Sequence, residues 1–155
     1  MARGGFYYFI SFTDDFSRYG YWYLLKDKSD SFEMFKEYKA EVEKQTRESI
    51  KVLRSDREGE YLSLEFKSFL KECGIVSQLT PPGTPQRSGV SKKRNRTLLD
   101  MMRLMMSLWD LPISFWSYAL EMAAYTLNRV PTKRVQKTPY KIWTEKRHSM
   151  SFMKI

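Results

Sequence analysis

The sequence predicts an α/β fold with a mixed sheet, and three observations carry that reading. Segments alternate in the order strand, strand, helix, strand, helix, strand, helix, helix. The strand candidates are short apolar runs bounded by turn residues, whereas the helix candidates repeat apolar residues at spacings of three and four. The 155 residues amount to about one domain, and 42% hydrophobic with 29% charged residues describes a globular chain rather than a disordered one.

Residues 6–13 (FYYFISFT) are aromatic and β-rich, and residues 19–25 (YGYWYLL) match them. Asp14-Asp15-Phe16-Ser17 between them is turn chemistry, so the pair reads as a hairpin. Residues 31–47 form a helix, because Phe32, Phe35, Tyr38 and Val42 share a face; Ser29 or Ser31 would cap it. Residues 50–53 are a short apolar strand ending at Arg54-Ser55-Asp56. Ser63 opens a second helix with Phe66, Phe69 and Leu70 on one face, and Gly74 ends it. Residues 75–79 are another strand. Residues 80–89 (TPPGTPQRSG) hold three prolines and two glycines and are expected to be a loop. A long helix follows from Val90 or Ser91 to about Leu108, with Leu98, Met101, Met102, Met105 and Leu108 as its apolar members. Pro112 introduces a helix over 113–128 with Trp116, Leu120, Ala123, Ala124 and Leu127 inward. Pro131 stops it, and Thr138-Pro139-Tyr140 opens a last short helix toward Trp143.

Several function classes fall away. One cysteine, Cys73, forbids an internal disulfide and fits a reducing, intracellular compartment. With His148 as the one histidine, no Cys/His zinc site can be assembled, and a Ser-His-Asp triad would have to use a histidine in a polar tail. No run of 18 apolar residues occurs, and the N-terminus does not read as a secretory signal. The net charge of +9 is unevenly placed: residues 1–85 hold 13 Lys/Arg and 14 Asp/Glu, and residues 86–155 hold 14 and 4. A neutral scaffold with a basic second half suits a polyanionic partner, though a merely solvated basic surface has the same composition.

Three places could carry chemistry. Asp56 follows a strand, where a carboxylate can be a metal ligand; a turn Asp is the plainer role for that residue alone. Glu58 and Glu60 read as surface charges, and the adjacent Asp14 and Asp15 as turn residues, since neighbours in an extended chain point apart. Lys92, Lys93, Arg94 and Arg96 open the long helix. Cations at a helix N-terminus are unfavourable unless an anion compensates, so the cluster reads as a phosphate site more readily than as a solvated face. Met101, Met102, Met105 and Met106 read as core filler.

Together the residues resemble the integrase core of copia-type retrotransposons, over nearly the whole chain. Residues 9–19 (FISFTDDFSRY) are similar to the family's hairpin, and Leu53-Arg54-Ser55-Asp56 with Gly59-Glu60-Tyr61 to the strand carrying its second catalytic Asp. Leu79-Thr80-Pro81, Thr84-Pro85-Gln86 and Gly89-Val90-Ser91 resemble the loop and helix start before its catalytic Glu. Asn95-Arg96-Thr97-Leu98, Ser114-Phe115-Trp116 and Leu127-Asn128-Arg129-Val130-Pro131 follow in family order.

The resemblance implies a ribonuclease-H-like fold and polynucleotidyl transfer by a D-D-E triad holding Mg²⁺ or Mn²⁺. It implies DNA as partner, both element ends and target, a homo-oligomer or pairing with intact integrase, a cytoplasmic or nuclear location, and nucleic-acid contacts by Gln86, Lys93, Arg94 and Arg96. Of the triad, it implies that Asp56 is retained as catalytic and metal-binding residue. Residues 57–91, 35 in all, separate Asp56 from position 92, the family's spacing to its Glu, but position 92 is Lys. An ammonium there removes a metal ligand and adds repulsion. The family's first catalytic Asp lies on a strand upstream of Ala2-Arg3-Gly4-Gly5, so the resemblance implies a chain lacking that middle strand, with 6–13 and 50–53 deprived of a shared neighbour. Glu58, Arg87 and Ser88 stand where the family more usually has Gly, His and Asn, and its upstream zinc-binding segment is missing. The expectation is a truncated, degenerate integrase-core domain over 1–143 with a basic tail over 144–155. It would bind DNA without catalysing. The alternatives are a makeshift metal enzyme using Asp56, Glu58 or Glu60 and Asp15, and an interaction fragment pairing through helix 113–128.

Overall fold

The computed structural model describes residues 4–55, 63–79, 85–131 and 136–146. β1 (Tyr8–Thr13) and β2 (Gly20–Leu25) pair antiparallel, from Tyr8 opposite Leu25 to Thr13 opposite Gly20. Their turn is closed by Asp14, whose Oδ2 accepts from the Ser17 amide at 2.8 Å and from Ser17 Oγ at 2.7 Å. Arg18 takes a left-handed conformation there, with φ of 64°. The hairpin needs a close approach at Gly20, because a Cβ on it would lie 2.5 Å from the Trp22 ring.

A 3-10 turn capped by the Asp27 side chain leads into α1 (Ser31–Thr46). β3 (Val52–Ser55), α2 (Leu64–Glu72) and β4 (Val76–Leu79) follow, with β3 and β4 parallel and Val52 opposite Val76. The Ser63 hydroxyl caps α2 by accepting from the Phe66 amide at 3.2 Å, and Gly74, at φ +69°, lets the chain leave it. α3 (Pro85–Leu108), a 3-10 turn at Ile113–Phe115, α4 (Trp116–Leu127) and α5 (Pro139–Lys146) complete the order.

The period-two pattern of the hairpin decides the layers. Ile10, Phe12 and Leu25, with Tyr21 and Tyr23, point into a core shared with Phe35, Tyr38 and Val42 of α1, Phe66 and Leu70 of α2, and Trp143 of α5. Phe9, Trp22 and Leu24 point the other way, onto Leu98 of α3 and Leu120, Ala123, Ala124 and Leu127 of α4. Each large side chain buried here is worth about 1.5–3 kcal/mol of transfer free energy. Phe12 stacks on Tyr38 at 4.5 Å between centroids, and Tyr19 on Trp143 at 5.4 Å, so α1 and α5 both clamp the hairpin. On the opposite face, buried Asn128 spans the backbone of Gly20. It accepts from the Gly20 amide at 3.0 Å and donates to its carbonyl at 3.0 Å.

Among the described residues the strands form one antiparallel and one parallel pair, and β1 and β3 do not pair with each other. The observed strands start two residues late, at Tyr8 and Val52. α5 ends at Lys146, past the expected domain limit at 143.

One expectation is corrected. Residues 80–84 of the expected loop lie outside the described residues, but residues 85–89 are helical and belong to α3. Pro85 at the first helical position lacks only an N–H that would have no intrahelical partner, and Gly89 weakens a helix without ending it. Leu108, the last apolar member of α3, is 71% exposed.

Candidate functional site

A cleft of about 620 Å³ separates the two strand pairs. One wall is the C-terminal end of β1 with Asp14 and Asp15, and the other is β3. Tyr38, Val42 and Thr46 of α1 form an apolar side, and Val90, Ser91, Lys92 and Asn95 of α3 the polar one. The Ser11 hydroxyl donates to Asn95 Oδ1 at 2.7 Å and pins α3 over β1.

Asp14 and Asp15 on the cleft wall are committed. Asp14 closes the hairpin turn, and Asp15 accepts from Arg54 Nη1 at 2.6 Å, with Arg18 at 3.9 Å. Arg54 also donates to Gln78 at 3.0 Å, tying the end of β3 to β4 and to the hairpin. The sequence reading took Arg54 only as a strand flank. The signal available was its opposite charge to Asp15 at the end of another strand.

The basic cluster divides. Lys92, Lys93 and Arg96 are exposed on α3, and Lys92 lines the cleft. Arg94 turns inward: Nη2 donates to the Leu127 carbonyl at 3.4 Å, and Nε is buried without a hydrogen-bond partner among the described residues. Burial, and then the neighbouring Arg18 charge, lowers its pKa. The expected position of these residues at a helix N-terminus is corrected. α3 begins at Pro85, so Lys92 stands two turns inside, beyond the reach of the terminal dipole. Gln86 lies in the first turn of α3 instead. Arg129 lies between the Tyr125 and Tyr140 rings at 3.6 and 4.3 Å.

Asp56, Glu58 and Glu60 lie outside the described residues, although Ser55, which precedes Asp56, lines the cleft. Among the described residues no group of three His, Cys, Asp or Glu side chains could hold a metal ion. Among the described cleft residues, Asp14 and Asp15 are already engaged, and the third carboxylate, Glu48, does not group with them into a metal site. Asp15 is ion-paired, Asp14 accepts from Ser17, and Lys92 brings a like charge.

The family model for the integrase core domain matches residues 1–85, more than half of the chain. The chain belongs to the integrase core domain family. It is 41% identical over 155 residues to a retrovirus-related Pol polyprotein from transposon TNT 1-94 of Nicotiana tabacum, covering 99% of this chain and 12% of that one. It thus spans about an eighth of that curated relative. Among solved structures it is similar to a chain of the simian T-cell lymphotropic virus intasome in complex with a PP2A regulatory subunit, B56 gamma. That match has a TM-score of 0.73 and 20% identity, covering 92% of this chain and 50% of that one. It is also similar to the HTLV-2 integrase catalytic core in complex with magnesium, in a trimeric form. Here the TM-score is 0.62 and the identity 18%, covering 85% and 81%. The fold is that of retroviral integrase cores, the ribonuclease-H-like α/β class. No helix among the described residues is long and apolar enough to cross a membrane.

Proposed function

We propose that this integrase core is a retrotransposon remnant that binds the DNA backbone and does not catalyse strand transfer. The observation that carries this reading is Lys92 on the cleft wall, at the position where the family spacing from Asp56 calls for a carboxylate. A two-metal displacement needs clustered anionic ligands around each ion, and an ammonium in their midst opposes both cations. The magnesium of the HTLV-2 core belongs to that protein; for this chain we propose weak Mg²⁺ or Mn²⁺ binding at Asp56.

DNA contact rests on Lys92, Lys93 and Arg96, which α3 presents together to solvent, with Arg94 serving packing instead. Each phosphate neutralised on a duplex contributes about −0.9 to the slope of log affinity against log salt. Three cations predict a slope of about −3, and Lys93→Ala with Arg96→Ala should reduce it by about 2. The check is duplex binding by fluorescence anisotropy across a salt series. Affinity insensitive to salt contradicts the proposal.

A second reading, pairing with another integrase, is favoured by the exposed Tyr118, Met122 and Tyr125 on α4. Co-purification with a full-length homologue, lost on changing Met122 and Tyr125 to Ser, tests it.

A further inference from the structure

We infer that the molecule encloses one small monovalent anion, a halide such as chloride, held above Gly20 by Trp22 Nε1, Thr13 Oγ1 and the Arg94 guanidinium. These three side chains carry buried polar atoms without a hydrogen-bond partner among the described residues: the Trp22 indole nitrogen, the Thr13 hydroxyl and Arg94 Nε. Buried polar groups in folded proteins are paired almost throughout, so three orphans in one neighbourhood call for a ligand. Their common place follows from the hairpin register. Ser11 stands opposite Trp22 and Thr13 opposite Gly20, so Trp22 and Thr13 are diagonal neighbours on the face of the hairpin turned to α3 and α4. Gly20 presents no side chain opposite Thr13, and the Trp22 ring folds into that space. A Cβ on Gly20 would lie 2.5 Å from Trp22 Cη2 and 2.8 Å from Cζ2, on the nitrogen side of the indole. Arg94 arrives from α3. Its neighbour Asn95 bonds Ser11, and its own Nη2 reaches the Leu127 carbonyl, next to Asn128, whose side chain brackets Gly20.

The donors define the ligand. An indole N–H and a guanidinium Nε–H only donate, and a hydroxyl can. A buried water would accept from two of them and bring two protons, for which the three groups offer only the hydroxyl oxygen. A halide accepts from all three and brings none. Arg94 forms no ion pair among the described residues, and burial with the neighbouring Arg18 charge lowers its pKa. An unpaired buried guanidinium is costly, and one negative charge beside it offsets that cost. The three orphan atoms are wholly buried, so the ion is enclosed and is no phosphate of a DNA backbone. Its site is separate from the exposed Lys92, Lys93 and Arg96.

The test is urea denaturation of the full chain in sodium chloride and in sodium gluconate of equal ionic strength, gluconate being too large for the site. A ligand held only by the folded state lowers the unfolding constant as it saturates. A saturable fall of about 10-fold in chloride relative to gluconate is expected, and bromide should reproduce it. Trp22→Phe removes the N–H and keeps a ring, and should shrink the ratio to less than about 2-fold. Thr13→Val, of nearly the same shape as the native residue, should also reduce it and decides the matter if Trp22→Phe does not fold. Equal unfolding constants in chloride and gluconate, the result for a buried water, overturn the inference. So does a chloride effect that the folded variants leave intact, or a gain from nitrate with none from either halide.

Discussion

Lys92 and Arg54 bring positive charge into a cleft whose hairpin wall offers Asp14 and Asp15, and the chemistry of the site follows from how these four are used. Asp15 is paired with Arg54, Asp14 holds its turn, and Lys92 extends from α3. The spacing of Lys92 from Asp56 is a property of sequence alone, and its place on the cleft was not legible there. The job of Asn128 was not legible either. It depends on Gly20, 108 residues away, whose amide and carbonyl it satisfies in the core. Asn128→Ala leaves a buried donor and a buried acceptor without partners and should cost about 2–4 kcal/mol, read by urea denaturation. Tyr38 makes a pH prediction. Burial, followed by the Asp14 charge, raises its pKa well above the ordinary 10.0. The folded state then holds the phenol proton more tightly than the unfolded state, so stability is retained below pH 10 and falls as pH rises beyond it. Tyr38→Phe should flatten that alkaline limb in denaturation curves measured from pH 8 to 11.5.

The elements divide by how local their causes are. The hairpin, α1, α2 and α4 were legible because period-two and period-three-to-four patterns are written in consecutive residues. The N-terminus of α3 was not: proline and glycine read as loop residues, yet Pro85 suits a first turn and Gly89 is tolerated in the second. The inward turn of Arg94 was equally hidden, since the carbonyl it meets belongs to Leu127 in another helix. The two strand pairs should differ in stability. β1 and β2 are sandwiched between two hydrophobic clusters, whereas β3 and β4 expose Val52 and Val76. Amides of β3 and β4 should exchange about 10-fold faster than those of β1 and β2 in the isolated chain. Equal protection would mean that the parallel pair is held by more than the described contacts.

On the scale of the molecule, the hairpin is the middle layer. α1, α2 and α5 cover one face, and α3 and α4 the other. The layering followed from the alternation of strands and helices. What the sequence could not display is how α3 places Lys92 on the cleft, because this depends on the Ser11–Asn95 hydrogen bond and the Leu98 contact across the sheet. The central claim is an integrase core without its chemistry, and one assay bears on it most directly. The chain and its Asp56→Asn variant are incubated with labelled duplex DNA and MgCl₂ or MnCl₂, and nicked and joined products are resolved by electrophoresis. No metal-dependent product from either protein is the predicted result. Metal-dependent joining by the chain, lost in Asp56→Asn, would contradict it.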